Sequence, residues 1–279
     1  MNFNRLKIAE FKLKKMVDDP AIVMIAKRGS GKSFITRDIV YHYRHKPCGC
    51  VIACTDRMHP FFKYFFPDLY IHYEIKENTL NKILLRQTEM LEKQKMKKKQ
   101  GKKIDPSSIL IMDDCLAKKK SWAKDENIME ILMNGRHYKL TYLLTMQYIM
   151  GITPELRGNF DYIFLLKEDS VLTKKKLWDN YAGMFPTIAI FEKVFAECTK
   201  EHCSMVIDNR RPTDNVTEKV FWFKAKQRKF SFGSKEFKAL HRRYYDPDYM
   251  RKKRSAALLN TKQLFGKKKN DIDIKIEKI

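Results

Sequence analysis

Two short stretches of this chain carry residue types that together can hold and cleave a phosphoanhydride. The first is Ala26-Lys27-Arg28-Gly29-Ser30-Gly31-Lys32-Ser33, followed by Phe34. Glycines at this spacing let several backbone N–H groups converge on one anion, and the N-terminus of a following helix favours negative charge. In such a loop Lys32 reaches the β- and γ-phosphates of ATP, and the Ser33 hydroxyl binds Mg²⁺. The second stretch is Ser108–Asp114, SILIMDD, an apolar run ending in two carboxylates. A buried strand that delivers an acid to its carboxyl edge puts it where α/β sheets bind nucleotides. Asp113 is then the candidate acid of the Mg²⁺ shell, directly or through water. Asp114 is the candidate for orienting or deprotonating the attacking water.

These residues need elements to position them. Ala21–Ala26 is an apolar run of strand length, and Ile35, Ile39, Val40 and Tyr43 recur on one side of a helix opening at Lys32. The strict phosphate-loop pattern begins with Gly where this chain has Ala26, a small side chain that fits the same place. Cys50–Thr55 reads as a second buried strand. Residues 77–99 read as a long helix whose last part, EKQKMKKKQGKK, loses all apolar pattern and is either solvated or in contact with phosphates. A helix over 124–136 ends in NGRH. Leu140–Met146 is a strand with Gln147 at its end, where a polar group senses a γ-phosphate or positions water. Further strands are expected at 161–166, 204–208 and 219–223, with helices at 171–182 and 187–197. Alternating βα units with apolar strands predict a doubly wound, mostly parallel sheet flanked by helices.

The chain has 279 residues and a formal net charge of +24. A small substrate does not need such an excess; a polyanion does, with nucleic acid first and an anionic membrane surface second. No apolar stretch approaches the ~20 residues of a transmembrane segment, and the first residues lack the apolar run of a secretory signal. The six cysteines have neither common zinc spacing nor a CxxC pair and read as reduced structural thiols. The expected organisation is a basic, helical lead-in over 1–19, an ATPase core over 20–225 and a basic extension over 226–279. That extension mixes cations with aromatics and carries RKKR at 251–254 and KKK at 267–269. Such a mixture suits contact with a nucleic-acid backbone and some base stacking.

In order, AKRGSGKS, ILIMDD, NGRH, LLTMQ and LRGNFDYIFLL resemble the genome-packaging ATPases of large cytoplasmic DNA viruses. These form the poxvirus-type branch of the FtsK–HerA superfamily of P-loop NTPases. The resemblance covers about residues 15–225. It implies a RecA/FtsK-like core in which a third strand separates the strands carrying the phosphate loop and the acids. It also implies a homo-oligomeric ring that drives double-stranded DNA into a capsid, with a capsid or portal component as partner. The setting would be the viral factory in the cytoplasm of the infected cell, and the virion. By the same resemblance Gln147 matches the sensor and Arg136 the arginine that a neighbouring subunit inserts toward the γ-phosphate, with Arg157 as the alternative. Asp114 stands where many superfamily members have Glu, as is usual in the viral branch. A helicase built on the same core, a nucleotide kinase and an ATP-switched DNA-binding scaffold remain open at this point.

Overall fold

The central strands are largely apolar and buried along their length rather than alternating, the pattern of strands covered on both faces. The computed structural model describes residues 6–57, 60–75, 77–115, 125–249 and 252. In chain order it contains β1 (Ala9–Glu10), β2 (Ala21–Ile25), α1 (Lys32–His42), β3 (Cys48–Ala53), β4 (Ile71–His72) and α2 (Glu77–Lys99). Next come β5 (Ser108–Asp113), α3 (Glu126–Asn134), β6 (Leu140–Met146), α4 (Pro154–Arg157), β7 (Tyr162–Leu165) and α5 (Val171–Tyr181). The chain continues with α6 (Ile188–Cys198), β8 (Ser204–Asp208), α7 (Val216–Lys219), β9 (Val220–Phe223) and α8 (Lys235–Tyr244).

The strands form one sheet in the order β1-β9-β8-β7-β2-β6-β5-β3-β4. Among the described strands only β8 runs against the others, pairing antiparallel with both β7 and β9. The α/β, mostly parallel sheet expected from the sequence is therefore present. β6 lies between β2 and β5, in register Ala21↔Tyr142 on one side and Ser108↔Leu140 on the other.

Successive residues of a strand point to opposite faces, and the core divides accordingly. Val23, Ile25, Leu110, Met112, Leu144 and Met146 face one layer, which contains side chains of α2, α3, α5 and α6. Ile22, Met24, Ile109, Ile111 and Leu143 face the other, which contains α1 and the aromatic residues Phe62, Phe65, Phe66, Phe232 and Phe237. Helices cover both faces, so parallel strands feed crossovers on either side. Below the sheet, Lys46 and Asp19 form a buried ion pair with Nζ 2.6 Å from Oδ1.

The lead-in differs from expectation. Residues 1–5 lie outside the described part. The rest is not a helix: Ala9–Glu10 pairs parallel with Phe221–Trp222, and only a single 3₁₀ turn follows at Leu13–Lys15. The cause is Phe11, which is 5% exposed and packs edge-on against Tyr162, Phe164 and Phe223. One buried aromatic fixes the segment more firmly than its charge spacing does.

The basic extension also behaves differently near its start. Phe232 is fully buried and stacks on Phe66, with ring centroids 4.6 Å apart. Phe237 stacks on Tyr70 at 3.9 Å. Arg228 Nε donates to the buried Asp38 of α1 at 2.7 Å, and the Lys226 N–H donates to the same carboxylate at 2.8 Å. Packing therefore continues past residue 225, and these phenylalanines are core residues, not free platforms for bases. The 251–254 and 267–269 cation runs fall outside the described residues, apart from Lys252.

Candidate functional site

Parallel strands share a carboxyl edge, and the loops after β2, β5 and β6 meet there. The phosphate loop is built by two left-handed residues, Gly29 at φ +79° and Gly31 at φ +95°. A Cβ at either position would have nothing within 4 Å. The demand for glycine is thus conformational, and the space over the loop is open to a ligand. Gly31 caps α1, accepting from the Phe34 N–H at 3.0 Å. Ala26, in the place usually held by Gly, is 2% exposed and donates its N–H to the Met146 carbonyl at 3.0 Å. Its methyl fits the packed end of β2. Ser33 and Phe34 are exposed on the first turn of α1, and Lys27 and Arg28 are exposed on the loop. Lys27 Nζ lies 2.5 Å from Asp169 Oδ1. This hydrogen bond holds the Asp169 carboxyl down at about 2.

The two halves of the site touch. Lys32 Nζ is 3.3 Å from Asp113 Oδ1, with both side chains about one-sixth exposed (16%). Thr145, fully buried in β6, donates its hydroxyl to the same Asp113 oxygen. Thr145 also receives the Asp114 N–H, on its carbonyl at 3.1 Å and on its Oγ1 at 3.3 Å. Asp114 sits at φ +50°, a left-handed conformation that costs a non-glycine residue about 1 kcal/mol and that Asp tolerates better than most. The side chain of Gln147 completes the cluster, donating Nε2 to Asp114 Oδ2. Lys32, Asp113, Asp114 and Gln147 are thus brought together, beside the loop of Ala26–Phe34. A lysine, a hydroxyl and an acid beside a glycine loop with open space at Gly29 and Gly31 suit a triphosphate with a hydrated Mg²⁺, an ion that keeps few protein ligands.

Thr145 was not singled out from the sequence. Its trace there is slight: one of two threonines in a largely apolar strand, two residues before Gln147. If Asp113 serves as the acid of a Mg²⁺ shell, removing that hydroxyl while keeping the shape, Thr145→Val, should lower turnover about tenfold, the usual effect of losing a hydrogen-bond partner of a metal ligand. The Mg²⁺ concentration for half-maximal rate should rise with it. Steady-state rates across a Mg²⁺ titration check both.

Arg136 is elsewhere. It precedes β6, at the amino edge of the sheet, while Gln147 follows the same strand. Seven strand residues place them roughly 20 Å apart, so Arg136 does not join the cluster of its own chain. Its loop begins at Gly135, where any Cβ would lie 2.5 Å from the Ile131 carbonyl oxygen. The Arg136 side chain is 60% exposed and pairs with Asp161. Arg157 is 9% exposed and committed internally. Its Nε donates to the Ile152 carbonyl at 3.0 Å and its Nη1 to Asn180 Oδ1, with its guanidinium over the Tyr181 ring. Of the two arginines only Arg136 is presented outward.

The long helix α2 adds a third feature. Gln87 Nε2 donates to the Pro106 carbonyl at 3.1 Å and to the Tyr138 carbonyl at 2.6 Å. Gln87 is therefore level with the starts of β5 and β6. The twelve helical residues beyond it, Thr88–Lys99, extend roughly 18 Å past the amino edge. They carry Lys93, Lys95, Lys97, Lys98 and Lys99, with Lys102 and Lys103 just after. Among the described residues, no helix is long and apolar enough to cross a membrane.

The chain is 63% identical over 276 residues to Uncharacterized protein L437 of Acanthamoeba polyphaga mimivirus, covering 99% of this chain and 97% of that one. It is 32% identical over 205 residues to Uncharacterized protein 088R of Invertebrate iridescent virus 3, covering 73% and 75%. In fold it is similar to the genome packaging NTPase B204 of Sulfolobus turreted icosahedral virus 2, solved in complex with AMPPCP. That match has a TM-score of 0.54 and 17% identity, covering 76% of this chain and 100% of the other. The profile of the Poxvirus A32 protein family matches residues 8–230, and the chain belongs to that family.

Proposed function

We propose that this chain is an ATP-hydrolysing motor that moves double-stranded viral DNA into a preformed capsid. The observation that carries the reading is the meeting of Lys32 and Asp113 at 3.3 Å beneath an open phosphate loop, with Asp114 and Gln147 beside them. Membership of the Poxvirus A32 family and the fold shared with a packaging NTPase support it.

In this reading the phosphates lie along the loop of Ala26–Phe34, held by its unpaired N–H groups and by the Lys32 ammonium. Ser33 and Asp113 would hold Mg²⁺, which would neutralise phosphate charge. Thr145 fixes Asp113. Asp114 accepts a proton from, or orients, the attacking water, and Gln147 holds Asp114 in place and reports the γ-phosphate. Hydrolysis here is mainly positioning and charge stabilisation. Arg136 lies at the opposite edge of the sheet from the nucleotide site of its own chain, and in this reading it acts on the nucleotide of the next subunit in a ring. The site is then complete only on assembly.

The net charge of +24 and the lysine-rich end of α2 supply the grip on DNA. Contacts of this kind go to phosphates and weaken steeply with salt. The partners are duplex DNA and a capsid or portal component, and the setting is the viral factory of an infected cell and the virion.

The test is ATPase rate against protein concentration, with and without long duplex DNA, at low and high salt. The expected rate rises more than linearly with protein, is stimulated by duplex, and loses the stimulation at high salt. A rate per subunit that is independent of both concentration and DNA would favour an enzyme of small substrates.

A further inference from the structure

The loop that carries Arg136 is fixed through its backbone. The Gly135 N–H donates to the Ile131 carbonyl and the Leu140 N–H to the Gly135 carbonyl, both at 2.9 Å, while Gln87 holds the Tyr138 carbonyl. The side chain is a separate matter, because a long exposed arginine has many rotamers and loses entropy when it must adopt one. Here one partner chooses. Arg136 Nη2 pairs with Asp161 Oδ1, and Nε lies 3.3 Å from Oδ2.

Asp161 has no freedom of its own. Its side chain is 1% exposed. Oδ2 also accepts the Ala21 N–H at 2.9 Å, and the Asp161 N–H donates to the Ala21 carbonyl at 2.8 Å. Ala21 is the first residue of β2, the strand that ends in the phosphate loop. A carboxylate with both oxygens engaged, facing a planar guanidinium, dictates the direction of that guanidinium. Held in this way the arginine stays accessible: its side chain is 60% exposed, and Arg136 and Asp161 line an open cavity of about 510 Å³ together with His137, Asn209 and Arg210. Arg210 is itself paired with Asp208, Nε to Oδ1 at 3.2 Å.

We propose that Asp161 is the positioning residue of the trans-acting arginine. It holds the Arg136 guanidinium toward the neighbouring subunit before that subunit's nucleotide arrives. It also joins the arginine to the strand bearing its own subunit's phosphate loop. The cost of ordering the side chain is met on folding, and the step that needs the arginine begins with it in place.

The proposal rests on Arg136 acting in trans, and the test separates the two. Full-length protein is assayed with Mg-ATP and duplex DNA as Arg136→Ala, Asp161→Asn and wild type. The amide introduced by Asp161→Asn keeps an acceptor for the Ala21 N–H while losing the charge that orients Arg136. Asp161→Asn should lower kcat about tenfold or more, with KM for ATP within twofold. This variant is then mixed with Asp114→Asn subunits, which present a normal Arg136 but do not hydrolyse. Mixed assemblies should turn over faster than the sum of the two proteins assayed separately, because the intact nucleotide site of an Asp161→Asn subunit then receives a properly held arginine. Failure of the mixture to recover would overturn the proposal and assign Asp161 to its own subunit's fold or site. Normal turnover by Asp161→Asn with Arg136→Ala inactive would also overturn it, leaving the role of Arg136 standing. Normal turnover by Arg136→Ala would remove the reading on which it rests.

Discussion

Lys32→Ala should abolish ATP hydrolysis, lowering turnover at least ~10²-fold, the scale seen when one preorganised charge donor is removed from developing negative charge. The effect is expected to be double. Lys32 is the cation placed between the phosphate loop and Asp113, 3.3 Å from that carboxylate. Without it, nucleotide binding should weaken as well, since a fixed ammonium near the phosphates contributes to ground-state and transition-state binding alike. The loop itself should survive, because its shape rests on the left-handed Gly29 and Gly31 and on the Gly31 cap of α1. Fluorescent-nucleotide titration with thermal melting separates lost affinity from lost fold. An unchanged rate would mean that phosphate is cleaved elsewhere.

Asp114→Asn should behave differently. Turnover should fall about 10²- to 10⁴-fold, the range attributed to a positioned general base, while nucleotide affinity stays near wild type. The hydrogen bonds of Asp114 go to Thr145 through its N–H and to Gln147 through Oδ2, partners other than Lys32 and the loop glycines. The amide retains an oxygen to accept from Gln147 and the backbone shape that Asp and Asn share in the left-handed region, so folding should be spared. Binding retained with turnover lost is the pattern of a residue used only in the chemical step. Equal loss of binding would instead make Asp114 part of the Mg²⁺ shell. The same variant serves as a nucleotide-holding partner in mixed assemblies.

How much of this was legible beforehand follows from what each residue depends on. The phosphate loop, the acids and Gln147 sit at the ends of strongly apolar strands, and a parallel sheet gathers strand ends at one edge. Local pattern therefore sufficed to put them at strand ends, whereas the position of β6 between β2 and β5 was implied by the family resemblance and not by local pattern. Thr145 and Asp161 depend on partners 32 and 25 residues away, and nothing local distinguishes a threonine that supports an acid from one that fills a strand. Phe11 shows the converse. Its neighbours have the charge spacing of a helix, but the ring is buried against β7 and β9, and tertiary packing decides the conformation. The aromatics after residue 225 misled for a related reason. Cations beside them suggest a nucleic-acid surface, whereas Phe232 and Phe237 complete the layer over Phe66 and Tyr70. The two arginines were separable only by burial: Arg157 turns inward and Arg136 outward.

The most direct test of the central claim is displacement of a third strand from a duplex. A fluorescent triplex-forming oligonucleotide is annealed at one end of a long duplex, and its release is followed after mixing with assembled protein and ATP. Translocation along intact duplex predicts release that requires ATP hydrolysis, lags in proportion to the distance from the loading end, and leaves the two duplex strands paired. Release without hydrolysis, or separation of the duplex strands in its place, would contradict a motor that moves double-stranded DNA.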